Sequence, residues 1–124
     1  METVDFEVPS VPSPYRVLLL GAATRGWYEA EDDDRRERIL PRFKAMMEEW
    51  RALGARVLAT LDDDLCMVGP PGRANYTWYL LLEVDSLDVL AAMIQRVRVT
   101  VDGVRMDKYV RFQARMGRPF FLLE

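Results

Sequence analysis

The chain has 124 residues, half of them apolar and 30% charged, with 17 basic against 20 acidic side chains and a formal charge of −3. That length matches the commonest domain size, so one globular domain able to bury its own core is expected. The acidic balance argues against a nucleic-acid binder, no apolar run nears the ~20 residues that span a bilayer, and no secretory signal is visible at the start.

Histidine is absent and Cys66 is the single cysteine. Ser-His-Asp and Cys-His catalysis, histidine-rich metal sites and histidine-ligated haem all need residues this sequence does not have. One thiol cannot close an internal disulfide or build a thiolate metal site, which suits a reducing cytoplasm. Neither GxxxxGK[ST] nor GxGxxG occurs, so the usual phosphate-cradling loops are missing. The expectation is a cytoplasmic protein that uses no metal and no cofactor.

Residues 1–14 carry Pro9, Pro12 and Pro14 among valines and serines, and read as an extended arm; residues 15–124 form the domain. Tyr15 opens a short apolar run to Ala23 that suits a buried strand. Asp32-Asp33-Asp34 then places carboxylates where a helix start favours them, ahead of a periodic segment reaching Leu53. Ile39, Phe43, Met46, Trp50 and Leu53 recur at helical spacing on one face, and Gly54 is the natural stop. Pro41 lies inside that pattern and should kink the helix or begin its main part.

Arg56 to Leu61 is the second strand, ending in Asp62-Asp63-Asp64. Leu65 to Val68 reads as a short continuation before the Gly69-Pro70-Pro71-Gly72 loop. Asn75 to Val84 is the strongest strand signal, rich in aromatic and branched residues. Ser86 caps a second helix with Leu87, Leu90, Ala91, Met93 and Ile94 apolar and Asp88 in its first turn. The last strand runs from Tyr109 to Met116, followed by an apolar tail, Phe120 to Leu123. The order strand, helix, strand, strand, helix, strand is that of a ferredoxin-like βαββαβ domain: an α+β fold with a four-stranded antiparallel sheet and two helices on one face.

Alternation separates the sheet faces. Tyr76, Trp78, Leu80, Leu82 and Val84 share one side of the third strand, and Val110, Phe112, Ala114 and Met116 one side of the last; these belong under the helices. Tyr79 and Leu81, with Leu18 and Leu20, would leave a large apolar patch on the opposite face. Pairing that face with a second copy removes the patch, so a homodimer is expected.

This layout resembles the dimeric α+β barrel superfamily. The likeness rests on element order, on the acidic strand end with its Gly-Pro loop (Asp62 to Gly72), and on the segment NYTWYLLLEVDSLD from Asn75. It covers the chain from about Tyr15 to Met116. Members include cofactor-free monooxygenases and cyclases of polyketide tailoring, muconolactone isomerases and haem-dependent chlorite dismutases. The absence of histidine sets this chain apart from the histidine-ligated haem members. The resemblance implies a pocket between sheet and helices in each subunit, with Asn, Trp, Tyr and Arg among its usual residues.

The expected function is therefore a cofactor-free tailoring enzyme, a monooxygenase or cyclase, acting on an aromatic or polyketide-like small molecule in secondary metabolism. The alternative is a non-catalytic small-molecule-binding or assembly module of the same fold. Within the acidic block, alternation sends Asp63 toward the helices with Val57, Ala59 and Leu61 unless a bulge intervenes, and it is the first choice of base. Asn75 and Tyr76 join it as catalytic candidates that hold an enolate. Tyr28, Trp27, Trp78 and Arg115 are the substrate-binding candidates, by stacking, phenol hydrogen bonding and anion binding. A solvated acidic turn, a Trp27 that staples the helix start and a Trp78 packed in the core are the plainer readings. Glu83 is the expected salt-bridge partner of Arg111 and Arg115. Cys66 and the methionines read as filling for an apolar interior.

Overall fold

The computed structural model of this protein describes residues 14–70, 72 and 75–123. The arm expected over residues 1–14 lies outside these except for Pro14, which is exposed. Strand β1 (Tyr15–Ala23) buries Val17, Leu19 and Gly21 on one face and turns Leu18 and Leu20 to the other. A short helix, α1 (Arg25–Glu29), follows, and the Thr24 N–H before it donates to the Tyr109 carbonyl at 2.9 Å.

The next helical stretch is built in three parts: α2 (Asp32–Asp34), a π turn (Arg35–Ile39) and α3 (Leu40–Leu53). The Leu40 N–H donates to the Arg35 carbonyl, five residues back, and Pro41 sits in the first turn of α3. A wider turn just ahead of Pro41 is one way for a rod to accept a residue with no N–H. Ion pairs Asp33–Arg36 at 2.6 Å and Asp34–Arg38 at 3.0 Å brace this entry. Gly54, at φ 115°, closes α3 as expected.

Ile39, Met46 and Trp50 are buried on the expected face of this stretch, whereas Leu53 is largely exposed. Arg42 is buried on it too, at 8% exposure, which the apolar pattern did not indicate. Glu49 accepts from both its terminal nitrogens at 2.8 Å.

Strand β2 (Arg56–Asp62) is exposed along its whole length and carries a bulge between Val57 and Ala59. Strand β3 (Trp78–Val84) begins three residues later than the Asn75 expected, and Leu65 to Val68 form no strand. Helix α4 (Leu87–Arg98) starts after Ser86, whose side chain makes no capping bond. Glu49 also accepts from the Arg96 Nε at 2.8 Å, and the Trp50 indole donates to the Met93 carbonyl at 3.0 Å, so α3 and α4 are tied at two points.

A hairpin not anticipated from the sequence follows, β4 (Thr100–Val101) and β5 (Val104–Arg105), around Asp102 and Gly103, both at positive φ. After a 3-10 turn at Met106–Lys108 comes β6 (Val110–Gly117). Tyr109, the expected first residue of this strand, lies just ahead of it and is buried in the core.

The four long strands make one antiparallel sheet in the order β2-β3-β1-β6. The core joins Val17, Leu19, Leu80, Leu82 and Val84 of the sheet to Met46 and Trp50 of α3 and Leu90 and Met93 of α4. Helices thus cover one face, while Leu18, Leu81 and their neighbours are left on the other. Among the described residues, no helix is long and apolar enough to cross a membrane.

Candidate functional site

A cavity of about 370 Å³ opens where β1 and β2 end and β3 begins, lined chiefly by Trp27, Ile39, Phe43, Asp62, Thr77 and Trp78. Local backbone bonds fix its floor. The Thr77 N–H donates to the Gly21 carbonyl and the Asp63 N–H to the Thr77 carbonyl, both at 2.9 Å. Gly21 lies opposite Trp78, and a Cβ there would fall 2.0 Å from the indole. Only glycine lets that ring lie flat over β1. Phe43 meets the indole edge-on at 5.7 Å and Phe112 at 5.3 Å, so the wall is aromatic and well fixed. Trp27 is held by Arg35, whose guanidinium lies 5.6 Å from its ring and whose Nε donates to its carbonyl at 2.8 Å.

Asp62, not Asp63, reaches this cavity. The bulge after Val57 adds one residue to β2 and reverses its alternation, so Ala59 and Leu61 turn to the open face with Leu18, Tyr79 and Leu81. Asp63 goes with them. Its Oδ2 lies 3.0 Å from the Tyr79 hydroxyl, which donates to it. That hydrogen bond, with desolvation and the carboxylate's charge, raises the Tyr79 pKa above its ordinary value.

The remaining candidates are not gathered here. Tyr28 is 71% exposed, and its carbonyl accepts from the Arg35 Nη2 at 2.9 Å. Asn75 and Tyr76 meet Arg111 instead. Its Nη2 donates to the Asn75 carbonyl at 2.6 Å, and its guanidinium lies 5.4 Å from the Tyr76 ring. Arg115 is exposed, 3.5 Å from the Gln113 amide oxygen. Glu83 pairs with Arg56 at 3.0 Å rather than with Arg111 or Arg115. Cys66 is exposed in a loop, whereas Met46, Met93 and Met106 do fill the interior.

Trp27 and Trp78 are therefore brought together, and Asp63, Asn75, Tyr76, Tyr28 and Arg115 stand apart from them. Asp62 is the acidic group that sequence reasoning missed, because a bulge in an edge strand leaves no mark on the residue pattern.

The open sheet face carries a second apolar feature. Leu18, Ala59, Leu61, Tyr79 and Leu81 line a shallow groove of about 270 Å³, with Leu61 60% exposed.

No family model and no curated protein matches this chain. Among solved structures it is similar to RPA0582 of Rhodopseudomonas palustris, a protein of unknown function, with a TM-score of 0.54 at 17% identity over 86% of this chain and 82% of that one. Methylated RPA0582 gives 0.55 at 17% identity over 89% and 83%. Likeness at this identity is one of fold alone.

Proposed function

We propose that this chain is one subunit of a ferredoxin-like dimeric α+β barrel and acts without a cofactor on an aromatic or polyketide-like small molecule. The observation that carries the proposal is the aromatic cavity beneath the helices. Of the residues described as lining it, Asp62 alone is ionisable. Trp27, Phe43 and Trp78 offer faces and edges to a planar guest, and about 370 Å³ falls within the usual range for small-molecule pockets.

The chemistry follows from a carboxylate beside such a guest. Asp62 accepts the proton of a carbon flanked by two carbonyls, or of a phenol, leaving an enolate or phenolate between the aromatic walls. In a cyclase the enolate carbon attacks a second carbonyl of the same molecule, and the new alkoxide takes the proton back from Asp62. In an oxygenase the enolate reduces dioxygen and bonds to it, and loss of water from the resulting peroxide leaves a new carbonyl. Asp62 replaces Asp63 as the base in this scheme.

The test is paired substitution with turnover measured on aromatic 1,3-diketones. Asp62→Asn should lower turnover by about 10²-fold or more, the usual contribution of a positioned base, while Asp63→Asn leaves it near wild type. Loss with Asp63→Asn and none with Asp62→Asn would refute the assignment. The exposure of Asp62 favours a second reading, a cavity that binds its guest without turning it over. Equal binding by wild type and Asp62→Asn, with no product from either, would establish that reading instead.

A further inference from the structure

We propose that Arg35 is a positioning residue for the aromatic cavity, holding Trp27 so that the cavity prefers a flat ring to a saturated one. This role rests on the reading of that cavity as an aromatic-guest site, and not on Asp62 as its base.

The two indoles that line the cavity are held in different ways. Trp78 belongs to a sheet strand, lies against Gly21 and is in edge contact with Phe43 and Phe112. Trp27 sits on α1, a helix of five residues none of which is buried. So short a helix has little stability of its own, and its last carbonyls are left for outside donors to satisfy. Arg35 supplies those donors from the π turn. Its Nε donates to the Trp27 carbonyl at 2.8 Å and its Nη2 to the Tyr28 carbonyl at 2.9 Å. The remaining arm, Nη1, donates to Asp32, and the guanidinium lies over the Trp27 ring at 5.6 Å. The start of α1 is fastened too. The Thr24 hydroxyl donates to the Lys108 carbonyl, and a Cβ on Gly26 would fall 2.4 Å from that same oxygen. Trp27 lies between these two fastenings.

Arg35 is itself fixed by its backbone. Its N–H donates to the Glu31 carbonyl at 3.0 Å, and its carbonyl accepts from the Leu40 N–H. Ile39 and Leu40 line the cavity as well, so one residue ties two of its walls together. Asp32 balances the guanidinium charge, and Arg35 therefore acts through geometry rather than through its field. A lysine would keep the charge, but its single ammonium cannot serve these acceptors as a rigid fork does. A wall held in place before the guest arrives favours a ring that lies flat against it. A loosened wall yields to a thicker ring, and the preference fades.

Calorimetric titration of the full chain with benzoylacetone and its cyclohexyl counterpart tests this role. Wild type should bind the phenyl compound about tenfold more tightly. Arg35→Lys should bring the two within about twofold of each other, and acrylamide should quench its tryptophan emission more strongly than that of wild type. With Trp27→Leu already in place, Arg35→Lys should alter neither the ratio nor the quenching. Asp32→Asn, an exposed change that leaves both carbonyl bonds, should keep the wild-type ratio. Turnover plays no part in these measurements, so a failed base at Asp62 would leave them intact. Wild type that binds neither compound would remove the guest-site reading and this role with it. A ratio unchanged in Arg35→Lys, lost in Asp32→Asn, or shifted by Arg35→Lys even with Trp27→Leu present would overturn the role of Arg35 alone.

Discussion

Glu49 accepts hydrogen bonds from Arg42 and Arg96, and the Arg42 contact above all holds its carboxyl at a pKa of about 2, against 4.5 for a free group, despite opposing desolvation. Because the folded-state pKa is depressed, the stabilisation is complete above about 4.5 and is lost as pH falls toward 2. Arg42 is buried and would be left without its partner in Glu49→Gln. We expect that variant to lose about 2–3 kcal/mol at pH 7, discounting a buried pair for the partial exposure of Glu49. The gap to wild type should close as urea titrations are repeated down to pH 2. A constant gap would show that the charge is not what Glu49 contributes. Gly21 poses a steric question of the same scale. Gly21→Ala places a methyl 2.0 Å from the Trp78 ring, and the ring must move. Destabilisation of about 1–3 kcal/mol is expected, together with a changed tryptophan fluorescence. An unaltered emission spectrum would mean the indole does not lie over β1.

Among the elements, those with a strong internal pattern were legible before folding. β1 and β3 are short runs of apolar and aromatic residues, and α3 carries apolar residues at spacings of three and four, so each lies near its expected place. Trp27 and Trp78 were legible as site residues for the same reason, as large aromatics at strand ends. What could not be read depends on partners far along the chain. Arg42 is buried because Glu49, itself held by Arg96 of α4, neutralises it, and hydropathy alone does not show such a triad. The bulge in β2 is set by its pairing with β3, and it decides which aspartate enters the cavity. The β4–β5 hairpin does carry a local signal, Asp-Gly between β-branched residues. Asp102 at φ 52° and Gly103 at φ 78° are the two left-handed positions such a turn demands. Gly103→Ala should therefore cost about 1–2 kcal/mol; its Cβ would also come within 2.9 Å of the Arg38 guanidinium. A midpoint equal to wild type in chemical denaturation would contradict that turn.

For the whole molecule, the open face of the sheet couples architecture to function. Leu18, Leu61, Tyr79 and Leu81 are apolar on a surface that a lone subunit would leave in water. Sedimentation should give twice the subunit mass for wild type. Leu61→Glu should give the monomer, because each interface would then bury two unpaired carboxylates. A wild-type chain that sediments as a monomer at high concentration would remove the barrel while leaving the Asp62 cavity intact. That cavity is tested most directly by the ultraviolet difference spectrum of an aromatic 1,3-diketone bound at neutral pH. The absorption band of the enolate should appear with wild type, and Asp62→Asn should bind the same compound without it. An enolate band of equal strength in both, or in neither, would contradict a base at Asp62.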